Sequence, residues 1–166
     1  MDKLIGRHKE QSILKNCLES GRSEFVVIYG RRRIGKTFLV RRFFNDTYDF
    51  SFVGKHEMPR EQQLADFAKA LQRYSSSEFA PELKNWTQAF DSLARLLEAK
   101  DANRKKVIFF DEMPWMDTPK SDFVSSLENF WNGWAAMRDD IVFVACGSAT
   151  SWMIDSLLHN QGGGCR

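Results

Sequence analysis

A chain of 166 residues with 24 Lys and Arg against 22 Asp and Glu, a formal charge of +2, suits one domain with a buried core and is too nearly neutral to be built around nucleic-acid affinity. An apolar fraction of 43%, with 13% of residues aromatic, excludes a disordered or collagenous chain. Three scattered cysteines (Cys17, Cys146 and Cys165) give neither a disulfide framework nor zinc spacing, no apolar run is long enough for a membrane span, and no signal-peptide core follows Met1, so the expected location is the cytoplasm.

In chain order, Ile13, Leu14, Cys17 and Leu18 share one face of a predicted helix. Residues 25–29 form an apolar β-rich run that stops at Gly30, and Phe38, Leu39 and Val40 open a helical turn. Residues 48–53 alternate and read as a strand nearer a sheet edge. Leu64, Phe67, Ala68 and Leu71 mark a helix; Ser75, Ser76, Ser77 and Pro81 mark a loop; Leu83, Trp86, Phe90, Leu93 and Leu97 mark a longer helix. Arg104, Lys105 and Lys106, like Arg22, read as loop charge. Residues 107–110 are a second continuous apolar run, stopping at Asp111; a helix follows through Phe123, Leu127, Phe130, Trp131 and Trp134; residues 141–146 are a third run, stopping at Gly147. Such runs are the habit of parallel strands buried on both faces. Strand–helix alternation predicts a layered α/β sandwich with a mostly parallel sheet and helices on both sides. His8, His56 and His159 form no metal box, and Trp115, Trp131, Trp134 and Trp152 read as core.

Two stretches carry chemistry. Gly30-Arg31-Arg32-Arg33-Ile34-Gly35-Lys36-Thr37 fits G-x-x-x-x-G-K-[ST], between a buried strand and a helix start. Gly30 and Gly35 let successive N–H groups face inward as an anion nest, and the helix opening at Lys36 adds the positive end of its dipole. Lys36 is expected on the β- and γ-phosphates of a nucleotide and Thr37 on Mg²⁺, with the whole stretch Gly30 to Phe38 in contact with the nucleotide. The run Arg31, Arg32, Arg33 either concentrates anions or is solvated and paired elsewhere. The second stretch is the end of the strand at 107–110, where Asp111 and Glu112 follow four apolar residues in the form of a Walker B strand. Asp111 would hold the metal, and Glu112 would activate water unless it is a plain surface carboxylate. The Asp-Glu pair favours hydrolysis over kinase chemistry. After the third run, Ser148 either faces the γ-phosphate as a sensor or, like Ser151, caps the next helix. No N-K-x-D box is present, so adenine is preferred to guanine.

These pieces together resemble the archaeal-type P-loop ATPases of the AAA-like and STAND group. Residues 4–10, Leu-Ile-Gly-Arg-His-Lys-Glu, are similar to that family's N-terminal box; residues 30–37 to its arginine-rich loop; residues 108–115, Ile-Phe-Phe-Asp-Glu-Met-Pro-Trp, to its Walker B segment; and Cys146-Gly147-Ser148 with Ser151-Trp152-Met153 to its sensor strand and turn. The resemblance implies an ASCE-type sheet, in which the sensor strand lies between the loop strand and the Walker B strand. It also implies that Ile5, Gly6 and Arg7 close over adenine; from the residues alone, Gly6 merely precedes a helix. The family continues into a fifth core strand, a helical lid and a winged helix. Residues 1–161 are therefore expected to be an ATPase core lacking that strand and lid, and 162–166 a flexible glycine-rich tail.

The functional expectation is an Mg-dependent ATP hydrolase, with ATP and Mg²⁺ as ligands and an arginine finger supplied by a protein partner or oligomer. DNA contact is not supported by this chain alone, and no membrane is involved. The alternatives are a nucleotide-dependent switch with little turnover and an inert truncated fragment.

Overall fold

A computed structural model describes residues 8–31 and 35–158. Four strands, β1 (Glu24–Tyr29), β2 (Phe50–Val53), β3 (Lys106–Asp111) and β4 (Ile141–Gly147), form one parallel sheet in the order β1-β4-β3-β2. β4 thus lies between β1 and β3, the order the resemblance implied, and the alternating strand β2 is at an edge. The predicted helices are present as α1 (His8–Glu19), α2 (Lys36–Phe43), α3 (Arg60–Ser75), α4 (Trp86–Glu98) and α5 (Phe123–Gly133). A four-residue helical turn at Thr150–Met153 and a wider π-type turn at Ile154–Leu158 follow β4. Ile5, Gly6, Arg7, Arg32, Arg33, Ile34 and the tail lie outside the described residues.

The apolar runs are continuous because the sheet is covered on both faces. Val26, Phe109, Val142, Val144 and Cys146 point to one side and pack with Leu14, Cys17, Leu39 and Val40 of α1 and α2. Phe25, Val27, Ile108, Phe110, Ile141, Phe143 and Ala145 point to the other, where α3, α4 and α5 cover them. That second core is largely aromatic: Phe110 lies 4.9 Å from Phe143 and stacks on Phe90 at 6.0 Å, while Phe67 meets Trp86 edge-on at 5.5 Å. Trp131 is buried there, with Trp134 and Trp152 packed against it.

The connections decide where a ligand can sit. β1 leads into α2 on one face, whereas β4 leads into turns whose Met153 and Leu157 join the core of the other face. Neighbouring parallel strands whose connections part in this way leave a crevice at their C-terminal ends.

The basic cluster expected as loop charge has a different role. Lys106 is the first residue of β3, its side chain 1% exposed, and its Nζ donates to Asp140 Oδ2 at 2.7 Å. Arg138 donates twice to the same carboxylate, both at 2.9 Å. Arg104 grips Asp49 through both terminal nitrogens while Asp49 also accepts the Val107 N–H, tying the start of β2 to β3. Lys105 Nζ reaches the carbonyls of Cys17, in the last turn of α1, and of Arg22, just beyond it. Each cation closes the N-terminal rim of the sheet, because strand ends and helix ends leave carbonyls and carboxylates that must be satisfied once buried.

Arg138 and Lys106 hold the Asp140 carboxyl down to about 2. A carboxylate with a depressed folded value contributes stability that is full above its unfolded value, about 3.9, and is lost as the pH falls toward the folded one. Asp140→Ala leaves Lys106 buried without its counter-ion and is expected to cost about 3–5 kcal/mol in urea denaturation at pH 7. The difference between natural protein and variant should shrink between about pH 4 and pH 2; a constant difference would mean that the loss is one of packing.

Candidate functional site

The loop after β1 turns where the glycines permit it. Gly30 has φ 144° and Gly35 φ 82°, values that side-chain-bearing residues rarely adopt, so the chain curls back and delivers Lys36 as the first residue of α2. Gly35 caps α2 with no side-chain hydrogen bond, leaving the helix's first amides to whatever the loop encloses. Lys36 is buried, and its Nζ donates to the carbonyls of Gly30 at 3.0 Å and Arg31 at 2.8 Å, so the ammonium spans the mouth of the loop.

The other site residues arrive from neighbouring strands. Parallel register aligns Tyr29 with Gly147 and Val53 with Asp111, so the strand ends form one rim. Thr37 Oγ1 donates to Asp111 Oδ2 at 2.8 Å, joining positions 74 residues apart. Asp111 Oδ1 accepts the backbone N–H of Glu112 at 2.9 Å. Burial pushes the Asp111 carboxyl above its ordinary value; Thr37, the Glu112 amide, Lys36 and Arg41 oppose the shift without cancelling it. Ser148, just past β4, lies with its Oγ 3.5 Å from Lys36 Nζ. The Thr150–Met153 turn is capped by Ala149 with no side-chain bond, so neither Ser148 nor Ser151 caps it. Glu112 sits at φ 51°, ψ 43°, in the left-handed region, at the bend out of β3.

Some predicted contacts are placed further out. Arg31 is exposed. Phe38, 43% exposed, lies on the outer face of α2 with the Arg42 guanidinium 5.9 Å from its ring centre. Both line a cavity of about 750 Å³ that opens beside Thr37. Arg41, also on that cavity, pairs with Asp46 at 3.1 Å. The described residues include no group of three or more His, Cys, Asp or Glu that could hold a metal ion.

Several residues that shape the rim give little sign of it in the sequence. Gly54, just past β2, approaches the Glu112 carbonyl so closely that a Cβ there would overlap it. Gly147 packs under Pro114, and an added Cβ would lie 2.6 Å from Pro114 Cδ and 2.8 Å from Met153 Sδ. Gln63, 1% exposed, donates from Nε2 to the carbonyls of Met58 and Trp115, bolting the loop after β2 to the turn after β3. Only the D-E-x-P spacing hints at this: its proline is the piece that meets Gly147.

A family described as an ATPase domain predominantly from Archaea matches residues 4–163. The chain belongs to that family. An uncharacterized protein of Methanocaldococcus jannaschii is 30% identical over 115 residues, 66% of this chain and 22% of that protein. A Walker-type ATPase of Pyrococcus abyssi shares the fold at a TM-score of 0.64 and 18% identity, over 96% of this chain and 49% of that one. The ORC2 protein of Aeropyrum pernix, solved as ADPNP-ADP complexes, does so at 0.60 and 19% identity, over 95% and 45%. The chain thus spans about a fifth of the first relative and about half of each solved structure. Family and fold make it a nucleotide-binding ATPase domain of P-loop type. Among its described residues, no helix is long and apolar enough to cross a membrane.

Two stability effects follow from the rim. Gly54→Ala should destabilise by about 1–3 kcal/mol, since the obstructing atom is backbone and cannot swing aside. Asp111→Asn should instead raise the melting temperature of the nucleotide-free protein at neutral pH, because an elevated carboxyl value means that the ionised form works against the fold. A lower melting temperature would show that the two hydrogen bonds accepted by Asp111 outweigh its burial.

Proposed function

We propose that the chain binds Mg·ATP in the 30–37 loop and hydrolyses it in the manner of AAA-like and STAND ATPases. The observation that carries this reading is the 2.8 Å bond from Thr37 Oγ1 to Asp111 Oδ2. It gathers a hydroxyl and a carboxylate, the hard oxygen donors that Mg²⁺ prefers, next to a buried lysine and an uncapped helix start suited to phosphates. The donor set therefore fits the pair of ligands: Thr37 and Asp111 would hold the metal, which would supply positive charge to neutralise the phosphates.

This chain's own residues divide the work. Lys36 leaves the Gly30 and Arg31 carbonyls to neutralise β- and γ-phosphate oxygens, and the amides opening α2 donate to the same oxygens. Glu112 orients a water for in-line attack and accepts its proton as the new O–P bond forms and the β–γ bridge breaks. Its backbone is held by the Asp111 carboxylate at the N–H and by the close approach of Gly54 at the carbonyl, which supports this role. Ser148 stands beside Lys36, where a sensor of the γ-phosphate belongs. Ile5, Gly6 and Arg7 are assigned to adenine on the family resemblance, and Arg31, Arg32, Arg33, Ile34 and Phe38 to the loop's contacts. A partner or second copy is assigned the transition-state arginine, and the cytoplasm is the assigned location.

A second reading, a switch with little turnover, is favoured by the Lys36 bonds. Nucleotide must draw the ammonium off the Gly30 and Arg31 carbonyls, so binding exchanges bonds internal to the site for bonds to phosphate before any chemistry occurs.

Lys36→Ala should abolish the rise in melting temperature that Mg·ATP gives the natural protein. Glu112→Gln should keep that rise and lose phosphate release by at least about 100-fold. Equal hydrolysis by the natural protein and Glu112→Gln would remove Glu112 from the chemistry, and a nucleotide response without phosphate release from the natural protein would select the switch.

A further inference from the structure

The edge of the sheet remote from β1 is open along β2, whose single strand neighbour among the described residues is β3. In a parallel ladder, alternate residues turn their N–H and C=O away from the neighbour, so part of the β2 backbone faces outward and can pair with another strand. Val53, in that edge, is 48% exposed although it is apolar.

A groove of about 330 Å³ runs between this edge and α3, lined by Ser51, Val53, Lys55, Lys69, Arg73 and Tyr74 among others. Its charge is one-sided. Asp66 is the acid among its lining residues, and Lys55 already holds it at 3.3 Å. Lys69 and Arg73 lie one turn apart on α3, both exposed, and have no acidic partner among the described residues. Two uncompensated cations therefore flank a row of backbone donors and acceptors. The Tyr74 ring, 5.4 Å from Phe50, floors the same groove with an aromatic surface.

We propose that this edge accepts an extended acidic segment of a partner protein as an added strand. Main-chain hydrogen bonds to β2 would provide attachment, and carboxylates on the partner would settle against Lys69 and Arg73. Two copies of this chain joined edge to edge at β2 would bring their Lys69 and Arg73 pairs toward one another, which disfavours self-pairing. The edge adjoins the rim at Val53, but Lys69 and Arg73 are not among the residues assigned to nucleotide, and the proposal does not depend on the reading given above.

The test uses the full 166-residue chain and fluorescent octapeptides alternating Val with Glu, with Lys or with Ser, followed by anisotropy near physiological salt. The Glu peptide should bind and the other two should not. In the double variant Lys69→Glu, Arg73→Glu, the Glu peptide should weaken at least about tenfold and the Lys peptide should gain binding. Hydrogen exchange should show new protection at residues 50–53 with the Glu peptide bound. The single variants repeat the comparison if the double one does not fold, and both positions are exposed, so circular dichroism should be unchanged. Absence of Glu-peptide binding, or binding indifferent to charge reversal, overturns the proposal. So does concentration-dependent self-association that protects residues 50–53 without peptide, which would assign the edge to a second copy. Self-association that appears on charge reversal alone, with no peptide bound by the natural protein, would show that the cations only guard the edge. The melting response to Mg·ATP, measured alongside, reports on the nucleotide site alone.

Discussion

The 2.8 Å hydrogen bond between Thr37 and Asp111 is the constraint around which the rim is arranged. Its ends belong to different β-strand units, and they meet because the parallel register brings the ends of β1, β4 and β3 to one level. A slip of one residue in either pairing would turn the strand-end side chains toward the wrong face and separate the hydroxyl from the carboxylate. Packing on both faces of the sheet, where alternate residues are committed to two different cores, is what prevents such a slip. The aromatic interior thus fixes a polar geometry at its border.

That border is assembled at some expense to the fold. Asp111 is buried far enough that its ionised form is disfavoured, Glu112 is held in the left-handed region, and Gly54 and Gly147 leave no room for a methyl group. A left-handed non-glycine residue costs on the order of 1–3 kcal/mol. Such concentrations of strain and unfavourable charge are characteristic of sites where ligands are handled, since a relaxed rim would gain stability by filling itself. At the opposite rim the logic is reversed. Lys106, Asp140 and Arg138 satisfy one another, as do Arg104 and Asp49, and nothing is left poised.

The sequence disclosed the parts whose signal is local. Continuous apolar runs announced buried parallel strands, and the alternation at 48–53 announced an edge. The two glycines around the arginine run announced a turn that only they can make, and both have positive φ. Strand order is a long-range property that no run of residues encodes; it came from the family resemblance. The charges at 104–106 were misread for a related reason. A polar stretch before a strand looks like a solvated loop until its partners, Asp49, Asp140 and a carbonyl in the last turn of α1, are brought from distant segments. The packing roles of Gly54, Gly147 and Gln63 are not legible, because what makes each necessary is a neighbour that sequence does not identify. The box at Ile5, Gly6 and Arg7 lies outside the described residues, so its part in the rim stays a matter of resemblance.

The place of β4 has a consequence for how the molecule comes into being. The first described strand, β1, finds its one described strand neighbour in the last described strand, and β4 must insert between β1 and β3. During synthesis the central seam of the sheet therefore waits for nearly all of the described chain to emerge, with the apolar surfaces of β1 and β3 unmatched meanwhile. Loop-closure entropy is met before the seam's contacts can form, the arrangement that makes parallel sheets slow to assemble and prone to capture by chaperones or by other nascent chains. The loop after β1, which borrows its alignment from that seam, is set beside Asp111 only when the seam closes.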